Sequence, residues 1–306
     1  MQDDYRQPDA PDPVLDESTV LALVREAVPA AQAVTRVDES GGEARVYVID
    51  DQVILKVQRP PRVRPRTSLE KEAFFLRQLA EDAAIPVPRV LGYGQAGGSV
   101  EYLCLTRLPG VAFAHAPLAP ATRHAVLVSL GETLRRVHQR CQAPLVACGL
   151  FPGDTSAADL RARLAGYFAF GVQRIHDRAV AWPLACPPEE VAACALAALP
   201  ATDERVALHA NPGEEHVFVD PAAGRFAGLI DFGDAYRSHP ALDLWAWWRP
   251  ADRAAVLAGY TAAAPVSAAF LATWQVILVL RVLIALGARP APDATPADLQ
   301  VLLAAL

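Results

Sequence analysis

The chain has 306 residues, of which 53% are hydrophobic and 20% charged, with a formal net charge of −6. That length accommodates two lobes that each bury a core, and the composition excludes a disordered chain. The acidic balance argues against a broad nucleic-acid-binding face, but leaves room for a local basic patch facing a phosphorylated ligand.

The five cysteines (Cys104, Cys141, Cys148, Cys186, Cys194) are odd in number and form no CxxC pair. This argues against zinc and for reduced thiols in a cytoplasmic protein. The start, MQDDYRQPDAPDP, has neither the basic nor the apolar region of a signal peptide, and residues 1–14 read as a disordered tail. A helix follows over Val20–Val28, with Pro29 closing it. Ser40-Gly41-Gly42 is a turn, and Arg45–Ile49 and Val53–Val57 read as a hairpin around Asp50-Asp51-Gln52. Thr67-Ser-Leu-Glu70 has the capping-box pattern that starts a helix, along which Leu69, Glu72, Leu76 and Leu79 share one stripe. Pro86 and Pro88 mark its exit. Tyr102–Leu105 is a strand, ended by the turn residues Leu108-Pro109-Gly110.

Beyond residue 110 the pattern is mostly helical. Leu127, Leu130, Leu134 and Val137 define one helix, and 151–200 is alanine-rich and helical. Short strands are expected over Val206–Leu208, Val217–Val219 and Phe226–Ile230, and helices return from Leu242. The apolar tract Val276–Leu286 contains Arg281 and is too short to span a bilayer, so it reads as a core helix and no membrane partner is expected. A β-rich part followed by a larger helical part is α+β, with a hinge near Thr106–Gly110. The expected organisation is a tail over 1–14, a small β-rich lobe over 15–107 and a helical lobe over 108–306.

Three features carry possible chemistry. Lys56 sits in a strand whose flanking Leu55 and Val57 face the opposite side, and Glu72 interrupts an apolar helical stripe. Either the two side chains pair, because a lone buried carboxylate is costly, or both snorkel to solvent. Asp231, in Ile230-Asp-Phe-Gly-Asp234, follows an apolar strand and precedes a turn, a place suited to a divalent cation or to an ordinary turn. The loop His209-Ala-Asn-Pro-Gly-Glu-Glu-His216 lies between two strands, where sites often sit.

A strand lysine, a helical glutamate, a hinge, a His-rich loop and a strand-end Asp-Phe-Gly occur in the order that kinase chemistry uses. Over about residues 20–290 the sequence resembles the aminoglycoside and macrolide phosphotransferase family, which has a two-lobed protein-kinase-like fold. The resemblance is carried by Leu208–Asp220, Leu229–Asp234 and Pro240–Leu244. Glu72–Leu76, Ile85–Arg89, Arg107–Gly110 and Val137-His138 support it.

The resemblance implies an ATP- or GTP-dependent O-phosphotransferase using Mg²⁺ and a small hydroxylated acceptor. Lys56 would contact the nucleotide phosphates and Glu72 would hold it. Leu105, Thr106, Arg107 and Leu108 would form the purine-reading hinge, and His216 and Asp231 would bind Mg²⁺. His216 stands where many members have Asn, although some aminoglycoside 2''-phosphotransferases and macrolide phosphotransferases have His. His209 and Asp243 would brace the catalytic loop. Asn211 stands where the family has its catalytic Asp, and an amide cannot act as a base. Pro212 replaces a residue that is usually Leu and removes a backbone N–H. The alternative is therefore a catalytically impaired pseudokinase that binds nucleotide or a small molecule without efficient transfer.

Overall fold

A computed structural model describes residues 15–39, 43–59, 68–96, 100–178, 182, 184–288 and 296–306. The tail over 1–14, the Ser40-Gly41-Gly42 turn and the Thr67 cap lie outside the described residues. The chain divides into two compact units that interleave along the sequence. Unit 1 is Met1–Pro117, Ala143–Phe151 and Glu215–Ala235; unit 2 is Leu118–Gln142, Pro152–Glu214 and Tyr236–Leu306. Unit 1 carries an antiparallel sheet and unit 2 is mainly helical, the α+β division expected of a kinase-like fold.

Unit 1 opens with helix α1 (Glu17–Arg25), capped by Asp16, whose carboxylate accepts the Thr19 N–H at 2.8 Å. The main sheet has five strands: β1 (Val34–Asp38), β2 (Ala44–Ile49), β3 (Val53–Gln58), β4 (Val90–Ala96) and β5 (Val100–Thr106), in the order β1-β2-β3-β5-β4. Asp50 and Asp51 both have positive φ, which turns β2 back onto β3. Side chains alternate across β3. Leu55 and Val57 join the core formed with Val20, Leu21 and Val24 of α1, so Ile54 and Lys56 face the other side of the sheet.

Helix α2 (Ser68–Leu79) packs against β4 and β5 and buries Leu69, Ala73, Phe75, Leu76 and Leu79. Phe75 meets Phe151 and Phe232 edge-on, with ring centroids 5.3 and 5.4 Å away. A second sheet in this unit, β6 (Val111–Ala112), β8 (Val217–Asp220) and β9 (Arg225–Leu229), delivers the chain to Asp231.

Two strands of the main sheet, β1 and β4, were not expected from the pattern. β1 is almost entirely surface-facing and so shows no alternation. β4 contains Gly92 and Gly94, which weaken a strand pattern, and a Cβ at Gly94 would lie 3.0–3.1 Å from the Tyr102 ring. Glycine there makes room for the ring of the neighbouring strand.

In unit 2, helices α3 (Pro120–Gln139) and α7 (Pro250–Thr261) cross closely: a Cβ on Gly131 would strike the Val256 carbonyl and one on Gly259 the Val128 carbonyl. After the short helix α4 (Gln142–Ala147), helices α5 (Ala157–Asp177), α6 (Pro188–Ala198) and α9 (Pro296–Ala304) pack on α8 (Ala268–Leu286). The latter has 19 residues, eight more than Val276–Leu286, which is its most apolar part. By length and composition it could cross a membrane, but Phe270, Trp274, Ile277, Leu280 and Leu283 are buried within the protein, as in a core helix. A two-stranded ribbon, β7 (Val206–Ala207) with β10 (Arg237–Ser238), frames the loop that begins at Leu208.

Candidate active site

In unit 1 three charged side chains converge. Lys56 Nζ donates to both oxygens of Glu72, at 2.9 and 2.7 Å, and to Asp231 Oδ1 at 2.9 Å. The alternation of β3 points Lys56 toward α2, and the helical stripe that buries Leu69, Leu76 and Leu79 carries Glu72 to the same place. Glu72 is 1% exposed, so a snorkelling carboxylate is ruled out and the lysine is its counter-charge. Burial alone would lower the Lys56 ammonium, but the carboxylates of Asp231 and Glu72 outweigh it and hold it well above the usual lysine range. Burial pushes Glu72 up; Lys56 opposes this and the Asp231 charge adds to it.

Asp231 stands just past β9 with φ of +66°, a left-handed conformation that Asp tolerates better than most residues. Its Oδ2 lies 3.4 Å from His216 Nε2, and the Ile230 N–H donates to the His216 carbonyl at 3.0 Å. One backbone contact thus registers the two side chains.

Unit 2 holds the other part of the sequence pattern. Asp243 is fully buried and accepts the N–H of His209 and of Ala210, each at 2.7 Å. It also contacts His138 Nε2 at 2.9 Å, and His138 Nδ1 meets the Tyr260 hydroxyl at 2.9 Å. These bonds hold Ala210 at φ +76°, a position that L residues rarely adopt. The Asn211 N–H donates to His209 Nδ1 at 3.2 Å. His209 is itself wholly buried, so its part is to shape the loop. Asn211 is exposed and Pro212 buried, which anchors the loop immediately beyond the amide.

Glu214 accepts from Arg123 at 3.0 Å, and the same guanidinium makes two bonds to Asp252, at 2.9 and 2.6 Å. The pattern did not reveal this Arg123 clamp, whose members lie 91 and 129 residues apart. Glu215 is 3.7 Å from His115. Both carboxylates next to the loop are thus already engaged.

A family model for the phosphotransferase enzyme family matches residues 34–274. The chain belongs to that family. A search of curated proteins gave no significant match. Among solved structures, the chain is similar to the aminoglycoside phosphotransferase APH(2'')-IIa in its ternary complex with streptomycin and ATP. The TM-score is 0.61 at 15% identity, covering 90% of each chain. It is also similar to the macrolide 2'-phosphotransferase MphH from Brachybacterium faecium, with a TM-score of 0.59 at 18% identity, covering 94% of this chain and 98% of that one. A thermostable APH(4)-Ia mutant bound to ADP and hygromycin B gives 0.57 at 20% identity, covering 94% and 96%. Likeness at these identities establishes the kinase-like fold.

Within this phosphotransferase, the donor set beside Lys56 tests whether the family's Mg²⁺ fits. Asp231 supplies a hard carboxylate with 43% of its side chain exposed, and His216 supplies an imidazole that is 20% exposed. No group of three or more potential ligands occurs among the described residues. Mg²⁺ is ordinarily held by one or two carboxylates together with substrate phosphates, so the set fits an ion that arrives with a nucleotide. In the segment expected to be the hinge, the Thr106 N–H donates to the Arg89 carbonyl at 2.9 Å and the Arg107 N–H to the Gln52 carbonyl at 2.7 Å. Neither donor is left for a purine.

Proposed function

We propose that this phosphotransferase moves the γ-phosphoryl group of ATP or GTP onto a hydroxyl of a small molecule, in the cytoplasm. The observation that carries the reading is the Lys56 ammonium, held charged between a buried glutamate and a reachable aspartate. Such an ammonium is suited to nucleotide phosphates. None of the five cysteines is disulfide-bonded, in accord with a reducing compartment.

In this reading Lys56 binds the phosphates and Glu72 fixes its direction. Leu105, Thr106, Arg107 and Leu108 form the purine edge. With the Thr106 and Arg107 donors spent on the protein backbone, the Leu108 N–H and the hinge carbonyls are the groups that read the base. Asp231 and His216 would hold Mg²⁺, which when bound neutralises charge on the phosphate oxygens. Asn211 orients the acceptor hydroxyl by accepting its hydrogen through the amide oxygen. As the acceptor oxygen bonds to phosphorus and the nucleoside diphosphate leaves, the hydroxyl proton passes to the transferred phosphate or to water. The loose transition state of phosphoryl transfer tolerates the missing base.

A second reading, a pseudokinase that retains nucleotide or small-molecule binding, is favoured by one observation. The amide of Asn211 is followed by a buried proline, and the neighbouring carboxylates Glu214 and Glu215 are occupied elsewhere.

One set of measurements tests both. Thermal unfolding with ATP or GTP and Mg²⁺ at about a hundredfold excess over Kd should gain about 2.7 kcal/mol, and Asp231→Ala should lose the gain while staying folded. Release of ADP or GDP on adding an acceptor separates the transferase from the pseudokinase. No stabilisation by either nucleotide would sink both.

A further inference from the structure

Unit 2 carries a group of side chains that the phosphoryl-transfer parts do not use. Directly after the buried Asp243 the chain reads Leu244-Trp-Ala-Trp-Trp-Arg249. Trp247 is 1% exposed and serves the core, whereas Trp245 and Trp248 are half-buried. The Trp245 ring stacks with Tyr167 of α5, with centroids 6.0 Å apart and planes 19° from parallel. Arg281 of α8 lies over the Trp248 ring, with Cζ 3.1 Å from the centroid, and 5.6 Å from the Trp245 centroid. It is fixed by a 2.8 Å bond from Nη2 to the Ala246 carbonyl. This shelf adjoins the catalytic loop: a Cβ on Gly213 would sit 3.9 Å from the Ala246 Cβ and 3.7 Å from Asn211 Oδ1.

The charge of the shelf is one-sided. Arg281 has no carboxylate within ion-pair distance among the described residues, and burial together with the Arg253 charge lowers its guanidinium to about 9. Arg253 bonds to the Trp247 and Trp248 carbonyls. Asp298 and Asp252 both act on the Arg253 guanidinium. Asp252 is also bonded by Arg123. An open depression of about 560 Å³ runs along Tyr167. Of its acids, Asp154 is bound by Arg163 and Ser238, and Asp159 closes the N-terminal box of α5 with Thr155 and Ser156. A polycation would meet the Arg281 guanidinium and carboxylates already held by other groups. A flat aromatic ring would meet π faces, and an acid group would find an uncompensated guanidinium.

We infer that the shelf of Tyr167, Trp245, Trp248 and Arg281 is the acceptor site, and that its ligand class is a hydroxylated aromatic acid rather than a polyamine. This rests on the phosphotransferase reading for the word acceptor, but the binding itself does not. The ring stacks on Trp245 and Trp248, the acid group pairs with Arg281, and a hydroxyl at the far end of the ring reaches toward Asn211.

Calorimetric titration of the full chain, with no nucleotide present, is the test. The probes are 7-hydroxycoumarin-3-carboxylate, its uncharged parent 7-hydroxycoumarin, and kanamycin as a hydroxylated polycation. The carboxylate should bind about tenfold tighter than the parent, and kanamycin should not bind. Arg281→Met should erase the preference for the carboxylate while leaving the parent bound. Trp245→Ala should weaken both coumarins about tenfold and Trp245→Phe much less. Melting without ligand shows which variants are folded, and Arg281→Met with Trp245→Phe decides the matter if Trp245→Ala is not. Kanamycin binding, no coumarin binding to the folded wild type, or an unchanged carboxylate preference in Arg281→Met overturns the inference. Failure of nucleotide binding would register only in the separate thermal-shift measurement, so the two readings fail independently.

Discussion

Removing the ammonium from the Lys56 cluster and removing the carboxylate should have unequal effects. Lys56→Met strands Glu72, which is 1% exposed, beside Asp231 with no counter-charge. Breaking a buried pair from one side costs about 3–5 kcal/mol. Glu72→Gln leaves Lys56 its 2.9 Å bond to Asp231 and an amide oxygen, so its cost is that of a weakened charged hydrogen bond, about 1.5–3 kcal/mol. At about 2–4 °C per kcal/mol for large domains, Lys56→Met should lower Tm by about 6–20 °C and Glu72→Gln by less. The lysine variant should also acquire a pH dependence. With Lys56 gone, Glu72 relieves its burial by binding a proton, so its folded pKa rises above the unfolded value of about 4.3. Between those two values the folded state holds a proton that the unfolded state lacks, and stability falls as pH rises, by up to about 1.4 kcal/mol per pH unit. Thermal melts at several pH values from 5 to 8 therefore decide the point: the deficit of Lys56→Met should be smallest near pH 5. Lys56→Met with Glu72→Leu should recover much of the loss by removing both charges. A Lys56→Met variant that melts like the wild type at every pH would refute the reasoning.

Two further outcomes follow from the loop and from a buried imidazole. Asn211→Asp restores the missing carboxylate in a loop whose backbone is already fixed by Asp243. Nucleotide hydrolysis or transfer should rise by about 10²- to 10⁴-fold with little change in nucleotide affinity; if Pro212 has displaced the loop, the gain should need Pro212→Leu as well, and no gain in either variant would show that the amide is not the limitation. His239 is fully buried, and burial, with lesser contributions from Arg205 and His138, lowers its pKa to about 3. Because the unfolded imidazole titrates near 6.5, stability should be lost as pH falls below about 6.5, by up to about 1.4 kcal/mol per unit. His239→Asn should flatten that slope in urea unfolding between pH 4 and 7, and an unchanged slope would remove His239 from the account.

What the sequence discloses here depends on how far apart the partners lie and on whether burial leaves a pattern. Lys56 and Glu72 are 16 residues apart and each breaks a local period, one a strand alternation and the other a helical stripe, so both stood out. The Lys56–Asp231 contact spans 175 residues and leaves no local mark; family resemblance assigned the two residues roles without implying that they touch. The Arg123 clamp was invisible for the same reason, since an arginine early in a helix is ordinary. Strand β1 lacked alternation because its three middle residues are all exposed, and β4 was masked by Gly92 and Gly94, the second of which serves the Tyr102 ring. The Trp245–Trp248 run could be seen as composition, but its pairing with Tyr167 and Arg281 depends on helix packing.

The same long-range contact sets a timetable for the newborn chain. A ribosome adding about 5–20 residues per second needs about 9–35 s to travel the 175 residues from Lys56 to Asp231. Through that interval the lysine and glutamate can meet as a neutral couple, within a unit whose last segment, Glu215–Ala235, has not yet been made. The second carboxylate then arrives as a latecomer, and a message truncated before codon 231 would yield a sheet and helix without the third charge of the cluster.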